Sequence, residues 1–143
     1  EFDGSDDYVE VPEDKSFDSI KNEITLSAWV NFDSVQNWDA IINKRGSGTR
    51  WNSLLRHSNQ NTYAFRLNNG SRKIITSKTE ISVGEWQHVL GTWNGSVMEI
   101  YINGEKENSS KYTGTLIDTD RPLRIGRATN GNYPLNGTID EVR

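Results

Sequence analysis

Ile24-Thr-Leu-Ser-Ala-Trp-Val-Asn-Phe32 is the stretch whose reading decides the fold. Apolar and polar side chains alternate through it with a period of two, the signature of a half-buried strand. Ile24, Leu26, Ala28, Val30 and Phe32 fall on one face, and Thr25, Ser27, Trp29 and Asn31 on the other. The first face is a core stripe; the second is polar and carries one large indole. Met98, Ile100 and Ile102 against Glu99, Tyr101 and Asn103 repeat the pattern.

Outward from these two segments, further short alternating runs read as strands. They are Tyr8–Val11, Ala40–Lys44, Ser53–Arg56, Tyr63–Leu67, Lys73–Ser77, Trp86–Trp93, Leu123–Arg127 and Thr138–Val142. No window holds the i, i+3, i+4, i+7 apolar spacing of an amphipathic helix. Four Asn-Gly pairs, Asn69-Gly70, Asn94-Gly95, Asn103-Gly104 and Asn136-Gly137, suit the positive φ angles of tight hairpin turns. Many short strands joined by such turns predict an antiparallel all-β sandwich or barrel. A chain of 143 residues has room for one proper core, and no linker or internal repeat divides it.

Composition narrows the function. Aromatic residues make up 10% of the chain, which separates it from disordered sequences. No apolar run approaches the ~20 residues of a membrane-spanning helix, and no signal-peptide apolar region stands at the start. The net charge is −4 and the basic residues are scattered, so the stripe that a nucleic-acid backbone needs is missing. With no cysteine there are no disulfides, thiolate metal sites or cysteine nucleophiles.

Five blocks together resemble the laminin-G-like, concanavalin A-like jelly-roll domains. They are Phe2-Asp-Gly-Ser-Asp-Asp-Tyr-Val-Glu-Val-Pro12, Ile24–Val30, Gly84-Glu-Trp-Gln-His-Val-Leu-Gly-Thr-Trp-Asn-Gly95, Met98–Gly104 and Asn136-Gly-Thr-Ile-Asp-Glu-Val-Arg143. They run in the family's order from one end of the chain to the other. The resemblance implies a two-sheet antiparallel jelly roll over residues 1–143, with first and last strands adjacent. The family's strand segment after the closing Arg is not in this sequence, so either the sequence stops before it or the last strand is shorter. It also implies a module of secreted or cell-surface multidomain proteins. Many such domains bind glycans, and many hold calcium.

A glycosidase needs paired carboxylates about 5–9.5 Å apart. The family's glucanases carry Glu-x-Asp-x-x-Glu on a central strand. The nearest match here, Glu1-Phe-Asp3-Gly-Ser-Asp6, ends in Asp and runs into a glycine turn. Asp140 and Glu141 are adjacent, and a regular strand points them to opposite faces. No nucleophile-elbow motif accompanies His57 or His88. The expectation is a binding domain and not an enzyme.

On the residues alone, Asp3-Gly-Ser-Asp-Asp7 is ordinary turn composition with solvated carboxylates. The resemblance brings the closing strand beside the opening one and so implies a structural calcium ion, with Asp3, Asp140 and the Gly4 carbonyl as ligands. Two histidines and no cysteine argue against zinc.

Sugar recognition needs a flat aromatic face beside planar polar groups. Trp38 and Trp51 stand in loop-like contexts with polar neighbours, and both a stacking platform and a cap on the sandwich end suit them. Arg50, Asn52, Arg56, Tyr63 and Arg66 complete the candidate ligand-binding set, and Tyr133 suits a loop tip. Trp29, Trp86 and Trp93 occupy the shared strand blocks and read as framework, with Trp86 and Trp93 on opposite faces. Asn69, Asn94, Asn108 and Asn136 each head an Asn-x-Ser/Thr sequon; turn geometry explains three of them without glycosylation.

The expected function is therefore a non-catalytic extracellular carbohydrate-binding module with a structural calcium. The alternative is an adhesive or spacer domain that contacts protein and has no sugar affinity. A divergent glycosidase is the third reading.

Overall fold

A computed structural model of the chain describes residues 1–36, 38–45, 51–57, 60–117, 121–128 and 132–143, with the backbone alone at 45, 51–54 and 56–57. The described residues form strands β1 (Phe2–Asp3), β2 (Val9–Val11), β3 (Ile24–Ser34), β4 (Ala40–Arg45), β5 (Trp51–His57), β6 (Thr62–Asn68), β7 (Arg72–Glu80), β8 (Gln87–Trp93), β9 (Val97–Ile102), β10 (Glu105–Lys111), β11 (Leu123–Ile125) and β12 (Asn136–Asp140). A 3-10 helix spans Lys15–Ser19, with Asp14 at its N-cap accepting the Ser16 N–H. Two six-stranded sheets result: β1-β12-β3-β8-β9-β10 (sheet 1) and β2-β11-β4-β5-β6-β7 (sheet 2). Each named pairing is antiparallel. β1 lies against β12, so the first and last strands are adjacent. This is the two-sheet antiparallel sandwich that the resemblance implies.

The stripe read from β3 is the core stripe. Leu26, Ala28, Val30 and Phe32 are buried, together with Val89, Trp93, Met98, Ile100 and Ile102 of the same sheet. Ile42, Leu55, Tyr63, Phe65, Leu67 and Ile75 close the core from sheet 2. All seven residues of β6 are buried, the polar ones included, so simple alternation fails there.

Three of the Asn-Gly pairs lie in hairpin connections, and the fourth does not. Asn103 and Gly104 join Ile102 to its partner Glu105, with φ of 50° and 85°, as a two-residue type I′ turn requires. Asn136-Gly137 instead sits inside β12, where the register with β3 shifts between the two residues. Gly137 has φ 145°, and a Cβ there would stand 2.2 Å from the Asn31 carbonyl oxygen. A bulge needs glycine's freedom as much as a turn does, and the dipeptide does not tell them apart.

β10 escaped the sequence reading because Glu-Lys-Glu-Asn-Ser-Ser-Lys has no apolar alternation. Pairing to β9 and side-chain bonds to β7 hold it. The Lys78 and Thr79 N–H groups donate to Glu107 Oε2 at 2.7 and 2.9 Å, and the Thr79 hydroxyl also donates to this carboxylate. Asn108 Nδ2 donates to the Thr76 carbonyl at 2.9 Å. These bonds occupy edge groups that would otherwise invite another strand. Burial pushes the Glu107 carboxyl up, but the bonds from Thr79 and Lys78 outweigh it and hold it below its usual value. A depressed folded pKa gives stability that is present above the unfolded value, about 4.3, and is lost as pH falls through the folded value. Glu107→Ala is expected to lower stability by ~1–2 kcal/mol at pH 7. Urea midpoints of the variant and parent should draw together below about pH 4; a constant difference at all pH values would show that the carboxylate is not the latch.

Candidate functional site

The outward face of sheet 1 carries the two exposed tryptophans among the described residues; the exposed Tyr8 lies beside sheet 2, with the Arg124 guanidinium 4.2 Å over its ring. Trp29 on β3 lies opposite His88 on β8 and Asp140 on β12. Its ring meets His88 at 5.2 Å between centroids, tilted by 50°, and Trp29 is 40% exposed. Trp86 precedes β8 by one residue and is 45% exposed. Two residues from His88, it takes the same side of the strand. The loop before it is anchored by the Gly84 N–H donating to the Phe32 carbonyl at 2.8 Å. One step along the sheet, Leu90 faces Tyr101 across the β8–β9 pair. The Thr25 and Thr92 hydroxyls are bonded at 2.9 Å. An open depression of about 370 Å³ is lined by Thr25, His88, Leu90, Thr92, Tyr101 and Gly104.

At its margin the Tyr101 hydroxyl donates to Glu99 Oε2 at 2.8 Å, and Lys106 Nζ donates to Oε1 at 3.1 Å. The Tyr101 and Lys106 bonds hold Glu99 below the usual carboxylate range, and Glu99 in turn raises both partners. Glu99 and Asp140 lie on β9 and β12, with β3 and β8 between them. Three strand spacings are about 14 Å, beyond the reach of a glycosidase pair. The face carries groups suited to stacking and hydrogen bonding.

The expected residues fall elsewhere. Trp38 is half-buried in the β3–β4 turn at φ 71°, next to the fully buried Asp39, whose Oδ2 accepts the Gln36 N–H at 2.7 Å. Tyr133, also half-buried and at φ 59°, accepts the Ala40 N–H at 3.1 Å through its carbonyl. Trp51 opens β5 opposite Arg45, whereas Arg56 lies opposite Ala40 beside the Trp38 turn. Five strand residues are about 17 Å, so the backbones of Trp38 and Trp51 stand at opposite ends of β5. Arg50 and the side chains of Trp51, Asn52 and Arg56 lie outside the described residues.

Tyr63 and Arg66 correct the reading directly. Tyr63 is fully buried between the sheets, 6.4 Å from the Phe32 ring, and donates its hydroxyl to Gln87 Oε1 at 2.9 Å. Burial pushes its hydroxyl pKa up. Its place on β6 shares the inward side with Phe65 and Leu67. Arg66 is 3% exposed. Neither side chain offers a ligand an open surface.

The three framework tryptophans divide. Trp93 is core, 1% exposed, with its indole N–H donating to the Tyr112 carbonyl at 2.6 Å. Trp29 and Trp86 are surface residues that the framework reading passed over. The signal was present: Trp29 sits on the polar face of its own strand.

The expected calcium set changes too. Asp3 pairs with Asn136, whereas Asp140 lies four residues further along β12, opposite Trp29. That separation is about 13 Å, so the strands meet without bringing Asp140 beside Asp3. Asp3 instead gathers with Asp6 and Asp7, one carboxylate oxygen of each lying within 4.8 Å of the others, all exposed. Gly4, at φ 77°, turns the chain between them. The Ser5 N–H donates to Asp3 Oδ1 at 2.8 Å and the Asp3 N–H to Asp7 Oδ2 at 3.1 Å.

Comparison with solved structures places this architecture among known ones. The chain is similar to domains LG4-5 of the mouse laminin alpha1 chain, at 15% identity and TM-score 0.79, covering 99% of this chain and 39% of that one. It is similar to domain 4 of AbnA, a GH43 extracellular arabinanase from Geobacillus stearothermophilus solved with arabinotriose, at 16% identity and TM-score 0.72, covering 95% and 65%. A third likeness is to the Ruminococcus gnavus IT-sialidase CBM40 bound to alpha2,3 sialyllactose, at 13% identity and TM-score 0.72, covering 97% and 90%. Among curated proteins, pentraxin-related protein PTX3 of Homo sapiens is 29% identical over 77 residues. That match takes in 51% of this chain and spans a fifth of the relative's length (20%). The structural likenesses, all at low identity, establish the fold. The family profile described as the concanavalin A-like lectin/glucanases superfamily, in its laminin G form, matches residues 3–143, and the chain belongs to that family.

Proposed function

We propose that the chain is a non-catalytic carbohydrate-binding module of an extracellular or cell-surface multidomain protein, and that glycan lies on the outward face of β3 and β8. The observation that carries this reading is the exposure of Trp29 and Trp86 on one face, beside His88 and Tyr101. Neighbours solved with arabinotriose and sialyllactose support it at the level of the fold. Each aromatic contact is worth about 0.5–1.5 kcal/mol. A shallow face with a few such contacts binds weakly, with Kd on the order of 0.1–1 mM, and tandem copies or a neighbouring domain strengthen it. Trp38 lies in the β3–β4 turn, at the end where Trp86 stands, and Arg50, Trp51, Asn52 and Arg56 remain an expected contact region. Retardation of the protein in polysaccharide gels, followed by a glycan array with and without calcium, tests the reading. Loss of all retention would favour the protein-contact alternative, which the exposed Val9 and Val11 on edge strand β2 support.

A calcium ion at Asp3, Asp6 and Asp7 belongs to the same proposal. Calcium takes six to eight oxygens, and three converging carboxylates with water suit it. A cation there would relieve their mutual repulsion and brace the turn that carries the chain from sheet 1 to sheet 2. Millimolar calcium is expected to raise Tm by about 5 °C, with Asp6→Asn and a chelator each removing the gain. An indifferent Tm would mark the cluster as a solvated turn.

A further inference from the structure

Four sequons satisfy the same sequence rule, but their side-chain amides are differently engaged. The acceptor atom in N-linked transfer is the Asn amide nitrogen. Asn69 Nδ2 donates to the Thr113 carbonyl at 2.5 Å. Asn108 Nδ2 donates to the Thr76 carbonyl at 2.9 Å and helps close the β7–β10 side of the sandwich. Asn136 Nδ2 donates to Ser34 Oγ at 2.9 Å from the bulge of β12, between β1 and β3.

Asn94 differs. It is exposed in the β8–β9 turn, and its Oδ1 accepts the Ser96 N–H at 3.1 Å and the Val97 N–H at 2.9 Å. Oxygen and nitrogen leave Cγ on opposite sides, so an oxygen turned to the hairpin backbone sends Nδ2 toward solvent. Nδ2 makes no hydrogen bond among the described residues. Ser96, which supplies the sequon hydroxyl, is exposed as well.

The geometry points to Asn94 as the N-glycan acceptor of the folded protein. The donor is an oligosaccharide carried on a polyprenyl diphosphate. Asn94 Nδ2 bonds to C1 of the first sugar, the bond from C1 to the diphosphate oxygen breaks, and the diphosphate leaves with the electron pair. The amide proton passes to a base on the transferase. β8 runs from the Trp86 end of the sandwich to Asn94 at the other, so an attached glycan leaves the Trp29–Trp86 face open. At its foot lies a depression of about 390 Å³ bordered by Ile20, Ile24, Thr92 and Asn94. Ile20 is 39% exposed there, and the first sugar would cover it.

The chain, secreted from a eukaryotic host, tests this by glycopeptide mapping of the soluble, folded fraction. The expected result is a single glycan, on Asn94. Ser96→Ala should abolish it while leaving the Asn94 Oδ1 bonds and the Tm of the enzymatically deglycosylated protein unchanged, and Ser96→Thr should retain it. Folded protein carrying glycan on Asn69, Asn108 or Asn136, or carrying none, would overturn the assignment.

Discussion

Gly91→Val is expected to keep the two sheets from closing. Gly91 lies in the middle of β8, between Leu26 of β3 and Ile100 of β9. A Cβ there would stand 2.5 Å from both Cδ2 and Cγ of Phe65 and 3.0 Å from Cδ1. Phe65 is fully buried at the centre of β6, so its ring has no open side to move to. Extra carbons in a filled core cost ~1–3 kcal/mol, and valine adds three of them against an aromatic ring. A loss of about 3 kcal/mol or more is a large share of a typical stability of ~5–15 kcal/mol. Urea unfolding and near-ultraviolet dichroism would read it. Gly91→Ala combined with Phe65→Leu should cost less than the sum of the single changes, because the smaller side chain vacates the space the methyl needs. A Gly91→Val protein with the parent's urea midpoint would mean that Phe65 does not fill this site.

The second large effect concerns binding. Trp29→Ala with Trp86→Ala is expected to abolish retardation in polysaccharide gels, because two lost stacks of ~0.5–1.5 kcal/mol each weaken Kd by roughly 5- to 150-fold. Both rings are already partly in water, so the accompanying loss of stability should stay near ~1 kcal/mol. Collapse of the fold in the double variant would return these indoles to the framework. Unchanged retention in the double variant, with loss in Trp38→Ala, would move the site to the β3–β4 turn.

The residues that revealed the fold were those whose neighbours in sequence are also neighbours in the sheet. Alternation in β3 and β9, and Asn103-Gly104 between β9 and β10, are local, and each appeared in the structure as read. β10 was invisible because its stability comes from β9 and from Glu107 and Asn108 reaching β7, none of it encoded as an apolar period. The site was less legible for a related reason. Trp29, Trp86 and Trp93 look equivalent as indoles within strand blocks; burial separates them, and burial depends on which side of which sheet each one takes. Asp140 and Tyr63 show the same limit. Strand adjacency was foreseeable for the first, but the register that sends Asp140 to Trp29 was not.

The pattern of side chains along the chain was by itself enough to settle an antiparallel all-β fold, sandwich or barrel, with a dry inner stripe and a polar outer one, since a strand's period of two belongs to the backbone. Tertiary structure alone decided which aromatics meet solvent, which acids gather and which sequon amide is open. Those outcomes hinge on register and on the closure of one sheet over the other, contacts between residues far apart in the chain that no local pattern records.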